Sequence, residues 1–284
     1  IFAITIIGIE LLFNFYAKKQ IKLMAESLPD NIVGESDSIG FKELGERITG
    51  LQERSDAELD MLKEMENYRK EYIGNVSHEL KTPLFSIQGY VETLIDGAIE
   101  NIPIRDKYLK RIDFSVERLL AIVKDLDMIN QFESGEINLQ VTKFDINLLI
   151  REVFDLLDLE AQKRSANLKM VFSQSAIFVE ADKQKITQVL INLVSNAVHY
   201  ANRQEATIIV STSVLKNKVL IEVEDNGMGI KSENLPRIFE RFYRVEASRN
   251  RKDGGSGLGL AIVKHILEAH QENISVESTY LEGT

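Results

Sequence analysis

The chain contains no cysteine, which excludes a disulfide framework, a thiol nucleophile and any Cys-ligated zinc or iron–sulfur site. Basic residues are in the minority: 34 Lys and Arg against 44 Asp and Glu leave a formal net charge of −10 over 284 residues. A surface of that sign does not neutralise a phosphate backbone, so direct nucleic-acid binding is not expected. The glycine-rich run Gly254, Gly255, Ser256, Gly257, Leu258, Gly259, Leu260 lacks the Gly-Lys-Ser/Thr ending of a P-loop. Leu260 also stands where a dinucleotide fingerprint needs a small residue. The His-Arg-Asp and Asp-Phe-Gly signatures of serine, threonine and tyrosine kinases are missing too.

With 44% hydrophobic and 27% charged residues, the chain has the composition of a folding polypeptide and the length for about two domains. Residues 1–17 are almost continuously apolar apart from Glu10 and Asn14, and end in Phe15 and Tyr16 before Lys18, Lys19 and Lys22. That order matches the C-terminal part of a transmembrane helix leaving through an aromatic belt on the positive, inner side. Residues 18–66 read as a juxtamembrane connector, broken by Pro29, Gly34 and Gly40, and then a coiled-coil signalling helix whose apolar stripe includes Ile48, Leu51, Leu62 and Met65. The stripe continues through Tyr72, Val76, Leu80, Leu84, Ile87, Val91 and Leu94 to a break at Gly97 and Pro103. A second stripe follows at Leu109, Ile112, Val116, Leu119, Val123 and Leu126. Two such helices form an antiparallel hairpin over residues 67–134, and pairing two hairpins gives a dimeric four-helix bundle, so a homodimer is expected.

On the first of these helices lie Ser77, His78, Glu79, Leu80, Lys81, Thr82, Pro83 and Leu84. A neutral His78 can attack a phosphoryl group, Glu79 can take the ring proton that must leave, and Thr82 sits one turn from His78 on the same face. Pro83 removes the N–H that would serve the carbonyl of Glu79 and is expected to bend the helix there.

Beyond Ser134 and Gly135 the pattern becomes mixed, and residues 135–284 read as an α/β sandwich. Ile137, Leu139 and Val141 alternate; Asp145 can cap a helix through Lys163, and Asp182 another through Tyr200. Strands are expected at Ala206 to Val214, Lys218 to Glu224 and Ile274 to Glu277, with a helix from about Gly257 to His270. Asn192 and Asn196, four apart on a helix, present two hard amide oxygens suited to Mg²⁺. Asp225, Asn226, Gly227, Met228, Gly229 and Ile230 follow the alternating Val219, Ile221 and Val223, where glycines let a ligand approach the backbone.

The His78 stretch resembles the phospho-accepting box of bacterial membrane sensor histidine kinases. The run from Gln188 to Tyr200 resembles their asparagine box, Asp225 to Ile230 the first glycine box, Phe239 to Arg244 the phenylalanine box and Gly254 to Leu260 the second glycine box. The resemblance implies a Bergerat-type ATP-binding domain that, with ATP and Mg²⁺, phosphorylates His78 and passes the phosphoryl group to an aspartate of a response-regulator receiver domain. It assigns His78, Glu79 and Thr82 to catalysis, Thr82 by orienting water to dephosphorylate the regulator. Asn192 and Asn196 become metal ligands and Asp225 the acceptor for the adenine amine. His199, Tyr200, Gly227, Gly229, Arg244, Gly255, Gly257, Leu258 and Gly259 become nucleotide contacts. His199 departs from the lysine or arginine usual in the family, and Arg237, Arg241, Arg249, Arg251 and Lys252 read as a solvated basic face. The family usually continues past Gly283 and Thr284 into one more strand, and places the kinase body in the cytoplasm under the inner membrane. Two other readings stay open: a gyrase- or chaperone-like ATPase, whose members usually carry a glutamate where Asn192 stands, and a dimeric scaffold that binds nucleotide without chemistry.

Overall fold

The structure, a computed structural model, describes residues 11–13, 15–20, 22–23, 41–135, 138–201, 205–245 and 255–284. The chain divides into two compact units, Ile1–Glu71 and Tyr72–Thr284. In the first, the described residues between 11 and 23 are helical and Leu11, Leu12, Phe13, Phe15 and Tyr16 are exposed. Among the described residues no helix is long and apolar enough to cross a membrane. The span expected over residues 1–17 lies largely outside the described residues, as does the connector with Pro29, Gly34 and Gly40. Helix α1 (Phe41–Ile95) starts in this unit, and its stripe residues Ile48, Leu62 and Met65 are uncovered in the single chain.

In the second unit α1 carries the His78 box, and Pro83 lies inside the helix without ending it. Gly97, at φ 105°, makes the left-handed turn that a side chain would resist. Asn101 then caps helix α2 (Ile102–Glu133), its side chain accepting from the Ile104 N–H at 3.3 Å, with Pro103 in the first turn. Polar contacts join the two helices: Arg111 donates to the Tyr90 hydroxyl at 3.3 Å, and Arg118 pairs with Glu79 at 3.3 Å. Leu84, Phe85, Ile95, Phe114 and Leu120 remain exposed.

The α/β part runs β1 (Val141–Asp145), α3 (Ile146–Lys163), β2 (Ala166–Phe172), β3 (Phe178–Asp182), α4 (Lys183–Tyr200), β4 (Ala206–Leu215), β5 (Lys218–Asp225) and α5 (Gly259–Ala269). β1 pairs antiparallel with β3, while β2, β4 and β5 form a sheet in which β2 is parallel and β5 antiparallel to β4. Both expected caps are present: Asp145 accepts from the Asn147 N–H at 3.0 Å, and Asp182 accepts from Gln184 and Lys185 at 3.0 and 3.1 Å. The apolar face of α3, at Ile146, Leu149, Ile150, Val153, Phe154, Leu157 and Ala161, meets the inward residues Ala206, Ile208 and Val210 of β4. Helix α4 has two apolar faces: Leu190, Val194, Ala197 and Val198 enter this core, while Val189 joins a second one with Leu258, Ile262, Val263 and Ile266 around α5 and Ile129 of α2.

Two expectations change. Residues 274–277 form no strand, because alternation fixes only which side chains share a face and no described strand lines this segment; its neighbourhood shows a single bridge, Thr279 to Gly283. Helix α5 starts at Gly259, two residues later than expected, since Gly257 at φ +75° lies outside the helical region. Ile137 lies outside the described residues, and Leu139 precedes β1. Strands β2 and β3 were not anticipated, although Ala166, Leu168, Met170 and Phe172 alternate.

Asn147 is fully buried, its side chain donating to the Gln174 carbonyl at 2.9 Å and accepting from the Thr212 hydroxyl at 3.0 Å. Asn147→Ala orphans both partners and is expected to cost roughly 2–4 kcal/mol of unfolding free energy. Denaturant titration checks this; a loss under about 0.5 kcal/mol contradicts it.

Candidate functional site

The acceptor ridge is built from both hairpin helices. His78 is the more open residue, with its side chain 57% exposed against 18% for Glu79. Its Nδ1 lies 4.0 Å from Glu79 Oε1, which leaves Nε2 as the outward nitrogen. The second carboxylate oxygen of Glu79 accepts from Arg118 at 3.3 Å. The Thr82 hydroxyl donates to the His78 carbonyl at 3.1 Å, an i to i−4 bond that holds it on the same turn.

A cleft of about 1890 Å³ lies on the α/β part and reaches the hairpin. Its walls include Asn192, Asn196, His199, Tyr200, Asp225, Gly229, Arg244, Gly255, Gly257 and Gly259 from the α/β side, with Arg118, Ile122 and Asp125 from α2. His78 and Thr82 are not on this wall, whereas Arg118, the partner of Glu79, is.

Asn192 is oriented at both ends: its amide N–H donates to the Gly259 carbonyl at 3.1 Å, and its oxygen accepts from Gln188 at 3.1 Å. An amide oxygen has two lone pairs, so one remains for a ligand. Arg164 donates to the His199 carbonyl at 3.3 Å and lies 3.1 Å from His199 Nδ1. A guanidinium can only donate, so Nδ1 is the acceptor and the ring proton sits on Nε2. Arg244 is half-buried on the cleft wall and forms no ion pair among the described residues.

Asp225 ends β5, and its Oδ1 accepts from the Gly227 N–H at 2.8 Å. Burial pushes its carboxyl above the usual carboxylate value, opposed by the Gly227 and Thr284 N–H groups and assisted by Glu224. Gly227 is required here because a Cβ would stand 2.6 Å from the Tyr200 carbonyl oxygen. Gly229, at φ +62°, would bring a Cβ within 2.1 Å of the Thr279 carbonyl oxygen. Leu258 is fully buried in the core around Ile129, because an apolar side chain at the start of α5 is drawn under the helix, and neither it nor Gly227 is on the cleft wall.

The glycine loop is tied to the hairpin. Ser256 donates to Asp125 Oδ2 at 3.4 Å and accepts from the Leu258 N–H at 3.3 Å. Burial raises the Asp125 carboxyl above its usual value, against the pull of Ser256 and Lys124. Arg241 also departs from the solvated face expected of it: its side chain is 12% exposed, pairs with Glu133 of α2, lies over the Tyr72 ring and reaches His265 Nε2 at 3.3 Å. His265 stacks on Phe132 at 5.8 Å, and burial followed by Arg241 holds its imidazole below the usual value, against Glu268 and Glu133. Arg249, Arg251, Lys252 and Gly254 lie outside the described residues. Sequence reasoning missed Arg118, Asp125, Arg164 and Gln188. Asp125 carried a signal as the polar residue sharing a helical face with Ile122 and Ile129, and Gln188 as the amide one turn before Asn192.

Comparison with known proteins agrees with this layout. The family model described as "His Kinase A (phospho-acceptor) domain" matches residues 68–135, and that described as "Histidine kinase-, DNA gyrase B-, and HSP90-like ATPase" matches residues 181–284. The chain is 36% identical over 224 residues to the sensor protein kinase WalK of Staphylococcus aureus, covering 78% of this chain and 53% of that one. It is 35% identical over 222 residues to WalK of Staphylococcus epidermidis, covering 78% of this chain and 36% of the relative, so it spans about a third of that protein's length. Among solved structures it is similar to the histidine kinase AdeS of Acinetobacter baumannii, with a TM-score of 0.53, 26% identity and coverage of 68% and 86%. It is also similar to the histidine kinase ThkA, solved in complex with the response regulator TrrA, with a TM-score of 0.56, 26% identity and coverage of 76% and 57%. A phospho-acceptor hairpin followed by an ATPase domain of this kind places the chain in the family of two-component sensor histidine kinases.

Proposed function

We propose that the chain is an ATP-dependent protein-histidine kinase that phosphorylates itself on His78 and passes the group to an aspartate of a response-regulator receiver domain. The observation that carries this reading is the pairing of an exposed His78, backed by Glu79, with a cleft that presents Asp225, two asparagines and Arg244. The ThkA complex with its regulator supports the second half. The proposed domain limits are residues 67–134 for the dimerisation and phosphotransfer hairpin and 135–284 for the ATP-binding domain. Residues 1–17 would belong to a membrane helix and 18–66 to its connector, with the kinase body on the cytoplasmic side of a bacterial inner membrane. The uncovered apolar residues of the hairpin, among them Leu84, Phe85 and Leu120, supply the face of a homodimeric bundle.

In this mechanism Asp225 accepts from the adenine amine with the oxygen not used by Gly227, and Tyr200 and the Gly229 turn shape the base pocket. The oxygens of Asn192 and Asn196 fit Mg²⁺, which when bound offsets phosphate charge. Arg244, the Gly255 and Gly257 backbone and His199 Nε2–H face the phosphates as donors. His78 Nε2 then forms a bond to the γ-phosphorus as the bond to the bridging oxygen breaks and ADP leaves; Glu79 takes the Nδ1 proton. In phosphotransfer the regulator's carboxylate attacks the phosphorus, the N–P bond breaks and the proton returns to Nδ1. Thr82, one turn below, would direct water at the phosphorylated regulator in the reverse task.

Incubating the chain with γ-labelled ATP and Mg²⁺, with and without a receiver domain, tests this. Acid-labile label on the parent, lost in His78→Gln and in Asn196→Ala, is expected. ATP turnover without labelling would favour a clamp-type ATPase, and binding without either a scaffold. Thr82→Ala is expected to keep His78 labelling while regulator dephosphorylation falls about tenfold or more; unchanged dephosphorylation would remove Thr82 from that role.

Asp225 gives a second test. Its raised carboxyl means that the folded protein binds this proton more tightly than the unfolded chain, so stability from this group is present at low pH and lost as pH rises through the folded value. Asn keeps an acceptor for the Gly227 N–H without the charge. Asp225→Asn is expected to melt no lower than the parent at neutral pH while nucleotide affinity falls roughly tenfold or more. A lower melting temperature with intact affinity contradicts the assignment.

A further inference from the structure

The geometry points to Arg118 as a positioning residue for phosphorylation of His78, acting through the carboxylate of Glu79; this rests on the histidine-kinase reading. Adjacent residues on a helix are turned by about 100° from each other, so the exposed His78 and the largely buried Glu79 do not share a direction. Glu79 serves His78 only if its carboxylate is held back toward Nδ1. Arg118 of α2 does the holding. Its Nη2 lies 3.3 Å from Glu79 Oε2, while Oε1 is the oxygen that faces His78 Nδ1 at 4.0 Å. The two side chains are 22% and 18% exposed, so this is a half-desolvated charge pair rather than a solvated surface one.

Arg118 also lies on the wall of the nucleotide cleft, which neither His78 nor Glu79 does. Seven residues further along α2, on the same face and about 10.5 Å away at 1.5 Å per residue, Asp125 receives the Ser256 hydroxyl of the glycine loop. One face of α2 therefore locates the loop that cradles phosphate and the carboxylate that prepares the acceptor. Arg118 touches no reacting atom; it fixes a rotamer of the group that does. Loss of this single contact lets Glu79 turn to water, so that fewer encounters between His78 and the γ-phosphorus find the proton acceptor in place.

A double-mutant cycle in the full chain tests this, with Arg118→Gln, Arg118→Lys, Glu79→Gln and Arg118→Gln/Glu79→Gln compared by rate of His78 labelling, KM for ATP and thermal melting. Arg118→Gln is expected to lower the labelling kcat by about ten- to a hundredfold with KM for ATP unchanged, and Arg118→Lys to recover part of it. The double variant is expected to be no slower than Glu79→Gln, because Arg118 has nothing left to position. Losses that multiply in the double variant, a loss confined to KM or melting, or a parent-like Arg118→Gln would overturn the inference. A parent that takes no label on His78 would instead overturn the histidine-kinase reading beneath it.

Discussion

Ile129 of α2 is completely buried against Val189, Leu258, Ile262, Val263 and Ile266, and that contact determines where the nucleotide cleft lies relative to the hairpin. Burying such a side chain is worth roughly 1.5–3 kcal/mol. It is apolar and therefore indifferent to direction, so register must come from the polar contacts around it. Ser256 to Asp125 supplies one on the cleft side, and Arg241 with Glu133 supplies another beyond it.

Two half-buried carboxylates of the site are partly desolvated. Asp125 and Asp225 are both raised by desolvation, against Ser256 and Lys124 in one case and the Gly227 and Thr284 N–H groups in the other. Asp125 ties the glycine loop to α2 and Asp225 offers a carboxylate in the cleft. His265 behaves similarly in reverse, kept below its ordinary value by burial and by Arg241, so that acidification strains the same junction.

Much of this was legible in the chain. The hairpin helices, both aspartate caps and strands β4 and β5 followed from period and capping chemistry, because those signals are local. Asn192, Asn196, Asp225, Gly229, Gly255, Gly257 and Gly259, all singled out by motif, lie on the wall of one cleft. What could not be read was every contact between distant segments. Arg118 to Glu79 spans 39 residues and Asp125 to Ser256 spans 131, and no spacing rule reaches so far. Arg241 misled for the same reason: among arginines it reads as surface, and contacts with Glu133, Tyr72 and His265, all distant in sequence, cover it. Residues 274–277 failed differently, since alternation is necessary for a strand but pairing defines one.

The central claim is that Glu79, held from α2, turns Nδ1 of His78 inward and leaves Nε2 as the nucleophile. Nitrogen-15 and phosphorus NMR of the phosphorylated chain reports which ring nitrogen carries the phosphoryl group. Phosphorylation at Nε2 alone is expected. Phosphorylation at Nδ1 would mean that the ring faces the other way during transfer, and that the acceptor ridge described above is not the reacting arrangement.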